Sequence, residues 1–236
     1  MTDPEKPAAD GAVPLRRIRS FVRREGRMTD GQQRAMAELW PRYGLTAPEA
    51  PLHPAQLFGR AAPVIFEIGF GMGDYLASRV IAEPQHDFIG VEVHRPGVGR
   101  VMNHASLAGR DNLRVASHDA VEVLRDWLLP ECLDEIVIQF PDPWHKKKHN
   151  KRRLVQPEFV RLALSRLKPG ALLSLATDWA PYAEHMLAVL NAEPGLRNRS
   201  ADGSYVPRPE TRLKTKFEKR GERLGHAVFD LAYEKI

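Results

Sequence analysis

Two stretches hold residues whose types and spacing suit chemistry. In the first, Glu67-Ile68-Gly69-Phe70-Gly71-Met72-Gly73 sets three alternating glycines behind a carboxylate. In the second, Phe140-Pro141-Asp142-Pro143-Trp144-His145-Lys146 holds an acid and an aromatic between prolines. Alternating glycines let the backbone bend sharply and let a ligand lie against it. A dinucleotide fingerprint needs a further glycine where this chain has Asp74, and a phosphate loop needs a Gly-Lys-Ser/Thr that the stretch lacks. Glu67 would also repel a pyrophosphate, so it suits a cationic ligand. In the second stretch the prolines fix the backbone. Trp144 could then stack on a base while Asp142 accepts from its edge. The plain alternative is a loop stiffened by proline around a buried tryptophan.

Hydrophobic spacing shows the elements that must position these residues. Val64, Ile65, Phe66 and Ile68 predict a buried strand running into the glycines, and Tyr75, Leu76, Val80 and Ile81 a helix leaving them. Phe88 to Val93 reads as a second strand, and Pro96 begins a helix with Val98, Val101, Met102 and Ala105 inward. Asn112 to Ala116 reads as a third strand, and Asp119 precedes a helix running to Leu128. Leu133 to Phe140 is the fourth strand, stopped by Pro141. Pro157 opens a helix that Gly170 closes, Ala171 to Thr177 is the fifth strand, and Asp178 caps a helix to Leu190. A short helix from Gln32 to Trp40 precedes the first strand, and residues from Ala227 to Tyr233 alternate as a half-buried last strand. This alternation predicts an α/β fold. The expectation is a Rossmann-like, mostly parallel sheet with helices on both faces and an antiparallel C-terminal strand.

In an open sheet of this kind ligands bind beyond the carboxyl ends of the strands. Those ends deliver Glu67, Glu92, Asp119, Asp142 and Asp178 in turn. Glu92 is placed to accept ribose hydroxyls, and Asp119 could accept from an adenine amino group. Taken singly, Asp119 and Asp178 read as helix caps and Glu92 as a loop charge. Taken together, the acids would repel one another unless a cation relieved them. S-adenosylmethionine carries an ammonium, a sulfonium and no phosphate. Glu-x-Gly-x-Gly-x-Gly at a strand end resembles the first motif of class I methyltransferases.

The composition bounds the rest. At 236 residues with 43% hydrophobic and 28% charged side chains, the chain is long and apolar enough for one soluble domain. It has no apolar run of membrane-spanning length. Asp3, Glu5 and Asp10 stand where an export signal would need apolar residues. Cys132 is the lone cysteine, which rules out an internal disulfide and a cysteine zinc cluster and fits a reducing cytoplasm.

The net charge of +5 is clustered, which suggests a polyanionic partner. Lys146, Lys147, Lys148, Lys151, Arg152 and Arg153, with His149 and Asn150 among them, suit a phosphate backbone. His145 and His149 have the spacing of metal ligands, but the lysines between them argue against a metal. A further basic segment, Arg208 to Arg223, contains Thr215, Lys216, Phe217 and Glu218. Residues 1–27 read as a disordered arm, rich in arginine beyond position 15, that serves either as a nucleic-acid tail or as a solvated one. Residues 28–236 read as a single domain.

The motifs together carry a resemblance. Glu67-Ile-Gly-Phe-Gly-Met-Gly, Gly90-Val-Glu-Val-His, Phe140-Pro-Asp-Pro-Trp-His-Lys, His149-Asn-Lys-Arg-Arg, Ala176-Thr-Asp-Trp and Thr215-Lys-Phe-Glu-Lys-Arg-Gly resemble the bacterial tRNA (guanine-N7-)-methyltransferase family, over roughly residues 60 to 236. The resemblance implies a class I methyltransferase fold. It also implies methyl transfer from S-adenosyl-L-methionine to N7 of the variable-loop guanine-46 of tRNA. It implies cofactor contacts at Glu67, Gly69, Gly71, Gly73, Glu92, Asp119 and Asp142, with Asp142 in the catalytic role. It places Lys146, Asp178, Thr215, Lys216, Phe217 and Glu218 near the target guanine, and Lys148, His149, Asn150, Lys151, Arg152 and Arg153 on the RNA. No metal is implied, and a monomer is expected, with a homodimer as the alternative. Lys148 departs from the arginine expected in the family: it keeps the charge and loses the bidentate fork.

Overall fold

The structure, a computed structural model, describes residues 20–21, 28–210, 212 and 227–236. Helix α1 spans Asp30–Tyr43, longer than the spacing predicts, because Thr29 and Gln32 form a reciprocal capping box at its start. A short helix α2, Pro54–Phe58, follows.

The sheet then builds from β1 (Val64–Ile68), β2 (Asp87–Val91), β3 (Leu113–Ala116), β4 (Leu133–Gln139), β5 (Leu167–Thr177), β6 (Leu196–Asn198) and β7 (Phe229–Lys235). Every residue of β1 and β2 is buried, as expected of parallel strands covered on both faces. The strand order is β3-β2-β1-β4-β5-β7-β6. The first five strands pair in parallel, while β7 runs antiparallel between β5 and β6. The order reverses between β1 and β4, so the crevice at their carboxyl ends is the switch point where ligands bind.

Helices α3 (Asp74–Ala82), α4 (Arg95–Leu107), α6 (Pro157–Arg166) and α7 (Ala180–Asn191) cover the faces. Two buried clusters result, one on each side of the sheet. Phe66, Ile89, Ile136, Phe159 and Tyr182 centre one, and Ile65, Leu76, Phe88, Val98 and Met102 centre the other.

Four local expectations are corrected. Gly170 does not close α6. The chain enters β5 at Leu167, which pairs with Leu133, and Gly170 takes a left-handed φ of 79° inside the strand beside a register shift. Asp178 does not cap α7: Trp179 holds the N-cap position without a side-chain bond, and the Thr177 hydroxyl accepts from Trp179 N–H instead. The helix after Asp119 is a single turn, α5 (Ala120–Glu122), which runs on as a π-helical turn over Val123–Trp127. Ile81 lies 37% exposed on α3 rather than inward.

Candidate active site

The glycine turn is held from three sides. Gly69 N–H donates to the Val91 carbonyl at 2.8 Å, and Gly71 N–H donates to Glu92 Oε2 at 2.7 Å. Gly73 has a φ of 76° and caps α3; a Cβ there would stand 2.9 Å from the Val101 side chain. Helix α4 presses on the turn so closely that a Cβ on Gly97 would fall 1.7 Å from the Gly71 carbonyl oxygen. Glu92, buried at the end of β2, also accepts from the N–H groups of Val93 and His94 at 2.6 and 2.8 Å through Oε1. One carboxylate thus fixes both the glycine loop and the exit of the second strand.

A cavity of about 590 Å³ opens at the switch point. Gly69, Gly71, Glu92, Asp119 and Asp142 line it, and Ile68, Met72, Phe140 and Leu154 give it apolar walls. No lysine or arginine stands among its described lining residues. Asp119 Oδ1 accepts from Val121 N–H at 3.0 Å, so the residue caps the short turn and faces the cavity at once. Its neighbour His118 lines the same wall, with Nε2 placed 2.8 Å from Glu122 Oε2.

The structure brings three of the five strand-end acids to this cavity and leaves two outside its lining. Glu67 is buried on β1, 3% exposed. Its burial, with Glu135 and Glu92 nearby, outweighs the Arg79 guanidinium and pushes its carboxyl up to about 8. Asp178 is exposed beyond the end of β5. Thr215, Lys216, Phe217 and Glu218 lie outside the described residues.

The Asp142 loop is built on two left-handed aromatics, Phe140 and Trp144, each with a φ of 49°. Bulky residues seldom take this conformation, and where they do they mark turns or functional strain. Phe140 N–H is held by the Ala176 carbonyl at 2.8 Å. The Trp144 ring carries the Arg152 guanidinium 4.0 Å above its face and meets His149 edge-on at 5.9 Å. His145 packs instead against Trp179, at 4.4 Å, so the two histidines face different aromatic partners.

Lys147–Arg152 form a 3-10 turn, with Lys146, Lys147, Lys148 and Lys151 exposed. Partial burial and the surrounding cations, Lys148 first, lower the His149 pKa. Arg153 goes elsewhere. It is 5% exposed, donates to the Pro143 and Pro181 carbonyls at 2.9 and 3.2 Å, and clamps the loop rather than facing the surface.

Sequence reading missed Ser20, Phe21, His118 and Arg212. Phe21 had one available signal, an apolar residue between arginine-rich runs. The partner that gives Arg212 its place, Asp230, is distant in sequence and leaves no local pattern.

A sheet of this order, with a glycine turn and an acid-lined switch point, is the architecture of class I methyltransferases. The 16S rRNA methyltransferase KamB shares the fold, with a TM-score of 0.57 at 17% identity, over 76% of this chain and 91% of that one. The 16S rRNA (adenine(1408)-N(1))-methyltransferase from Catenulisporales acidiphilia shares it with a TM-score of 0.52 at 18% identity, over 80% and 96%. A family described as "Putative methyltransferase" matches residues 61–231. The tRNA (guanine-N(7)-)-methyltransferase of Pseudomonas putida strain F1 is 56% identical over 97% of this chain and 95% of that protein. The enzyme of the same name from Pseudomonas aeruginosa strain PAO1 is 52% identical over 99% and 98%. The chain belongs to the tRNA (guanine-N(7)-)-methyltransferase family.

Proposed function

We propose that this protein transfers a methyl group from S-adenosyl-L-methionine to N7 of guanine-46 in the variable loop of tRNA, acting as a monomer in the cytoplasm. The observation that carries the reading is a contrast of charge. A cavity lined by Glu92, Asp119 and Asp142, and by no described lysine or arginine, lies beside the exposed cations of the turn after Asp142. The cavity suits a cationic, phosphate-free ligand, and the turn suits a phosphate backbone. Membership of the family supports the guanine N7 target.

S-adenosyl-L-methionine supplies an electrophilic methyl group on a sulfonium. In this reading Glu92 and Asp119 hold its ribose and adenine, and the glycine turn lets its chain lie against the backbone. Glu67 lies buried on β1 behind the turn, near Glu92, where its carboxyl, pushed up to about 8, keeps its proton at neutral pH unless a cation such as the ammonium draws it off. The protein needs no general base, because guanine N7 offers a lone pair and has no proton to lose. Asp142 accepts from the donor edge of guanine and stabilises the positive charge that develops on the base. Placing N7 in line with the methyl–sulfur bond supplies much of the remaining acceleration. Lys146, Asp178 and the segment Thr215 to Glu218 surround the guanine, and Lys147, Lys148, Lys151 and Arg152 meet phosphates.

The test is nucleoside analysis of an unmodified tRNA transcript after incubation with the protein and S-adenosyl-L-methionine. The expected product is 7-methylguanosine at one variable-loop site, located by borohydride and aniline cleavage. Appearance of 1-methylguanosine, or of no methylated guanine, overturns the reading.

A further inference from the structure

We propose that Ser20 and Phe21 form part of the methyl-donor site, closing the cavity, and that Trp144 of the Asp142 loop holds them in place. The proposal rests on the reading of the cavity as the donor site. Ser20 and Phe21 line the same cavity as Gly69, Glu92 and Asp142, although they stand far from them in sequence. The Trp144 Nε1–H donates to the Ser20 carbonyl oxygen at 3.0 Å, a bond that spans 124 residues of chain.

Trp144 does not itself line the cavity. Its ring is fixed by contacts that do not involve Ser20, with the Arg152 guanidinium on its face and His149 at its edge. An indole offers one donor and no acceptor, so a half-buried Trp144 spends that donor on a main-chain oxygen. A main-chain acceptor makes the bond independent of the Ser20 side chain. What the bond fixes is the path of the chain, and that path delivers Phe21 to the cavity. There the ring adds an apolar cover to walls already formed by Ile68, Met72 and Leu154. Covering a site that holds a sulfonium excludes water and strengthens the field of its carboxylates. The residue that keeps the cover in place belongs to the same loop as Asp142, so donor retention and guanine positioning share one anchor.

Calorimetric titration of the full-length protein with S-adenosyl-L-methionine tests this. Phe21→Ala should weaken binding by roughly tenfold, the scale of truncating an aromatic anchor. Phe21→Leu, which keeps apolar bulk, should recover much of the loss. Trp144→Phe, which keeps an aromatic side chain at that place but removes the N–H along with part of the indole, should also weaken binding although residue 144 lies outside the cavity. The double variant Phe21→Ala/Trp144→Phe should bind no more weakly than Phe21→Ala, since the two changes remove one contact. Additive losses, or wild-type affinity in Phe21→Ala, overturn the proposal. Asp119→Ala separates the two readings. If it weakens binding while Phe21→Ala does not, the cover is refuted and the donor site stands. If Asp119→Ala binds like wild type, the donor-site reading itself fails. Should Trp144→Phe fail to fold, the Phe21 variants still decide the matter.

Discussion

Arg212 grips Asp230 in the interior: Nη2 donates to Oδ2 at 2.9 Å, and Nε stands 2.7 Å from Oδ1 without hydrogen-bond alignment. The same guanidinium lies 5.7 Å from the centre of the Phe140 ring. One buried cation therefore ties β7 to the base of the Asp142 loop. Arg212→Leu should destabilise the protein by about 3–5 kcal/mol, because it takes a paired guanidinium away from a buried carboxylate. Arg212→Leu/Asp230→Leu should recover much of that loss. Urea unfolding measures both, and equal losses in the single and double variants would show that the pair is not the cause.

Glu92 accepts from three backbone N–H groups through two oxygens. Glu92→Gln replaces one acceptor oxygen with an amino group, so at least one of those donors loses its partner. The expected cost is about 1–3 kcal/mol in S-adenosyl-L-methionine affinity, with Glu92→Ala worse still. Unchanged affinity in both variants would remove Glu92 from the donor site.

Glu67 makes stability depend on pH. Its carboxyl titrates at about 8 when folded, against 4.5 as the ordinary value. Between those values the unfolded chain sheds the proton and the folded protein keeps it. This residue's contribution is therefore fully present below pH 4.5 and is lost as pH rises to about 8. The slope approaches roughly 1.4 kcal/mol per pH unit in the middle of that window. Glu67→Gln removes the titration, so its unfolding free energy should gain on wild type steadily from pH 5 to pH 8, the window set by the folded value of about 8. A pH-independent difference between the two proteins contradicts the assignment.

The basic turn should show itself through salt. Lys147→Ala/Lys151→Ala should weaken tRNA binding and reduce the log–log salt slope by about one per lost phosphate contact. Donor affinity should stay as it is. Arg153→Ala should behave differently, lowering thermal stability through the lost Pro143 and Pro181 contacts, with its salt slope intact. If Arg153→Ala flattens the slope as the lysine variant does, its side chain reaches RNA after all.

Asp142→Ala should keep most donor binding and lose roughly a hundredfold or more in single-turnover rate, the scale of removing a transition-state electrostatic partner. Normal turnover in that variant would move the catalytic role to another residue.

The fold was largely legible because its central strands are buried on both faces. Apart from Glu67 and Asp87, residues 64–68 and 87–91 are short runs rich in β-branched and aromatic side chains, the record of strands covered on both faces. Failures came where one local signal has two uses. Gly170 carries the signature of a helix cap but supplies a left-handed turn within β5. Asp178 stands at the usual capping spot, yet the helix starts one residue later, with Trp179 at the N-cap and its N–H held by the Thr177 hydroxyl. Strand β6, only three residues long, is too short to have a period. Asp119 and Asp142 could be found because a strand end fixes where the next residues stand. The burial of Glu67 could not, since Arg79 and Glu135 reach it only once α3 and β4 have packed.

The place of β7 has a consequence for biosynthesis. It follows β6 in sequence and is the last strand among the described residues, yet it lies between β5 and β6 and supplies the antiparallel partner of both. While the ribosome still holds residues 229–235, the outer edge of β5 has no neighbour, although its parallel side can already be formed. An unpaired strand edge is the surface on which nascent chains join one another. Chains that stop before residue 229 should therefore leave the cell's soluble fraction altogether, so a truncation ahead of β7 would act as a loss of protein rather than a loss of activity.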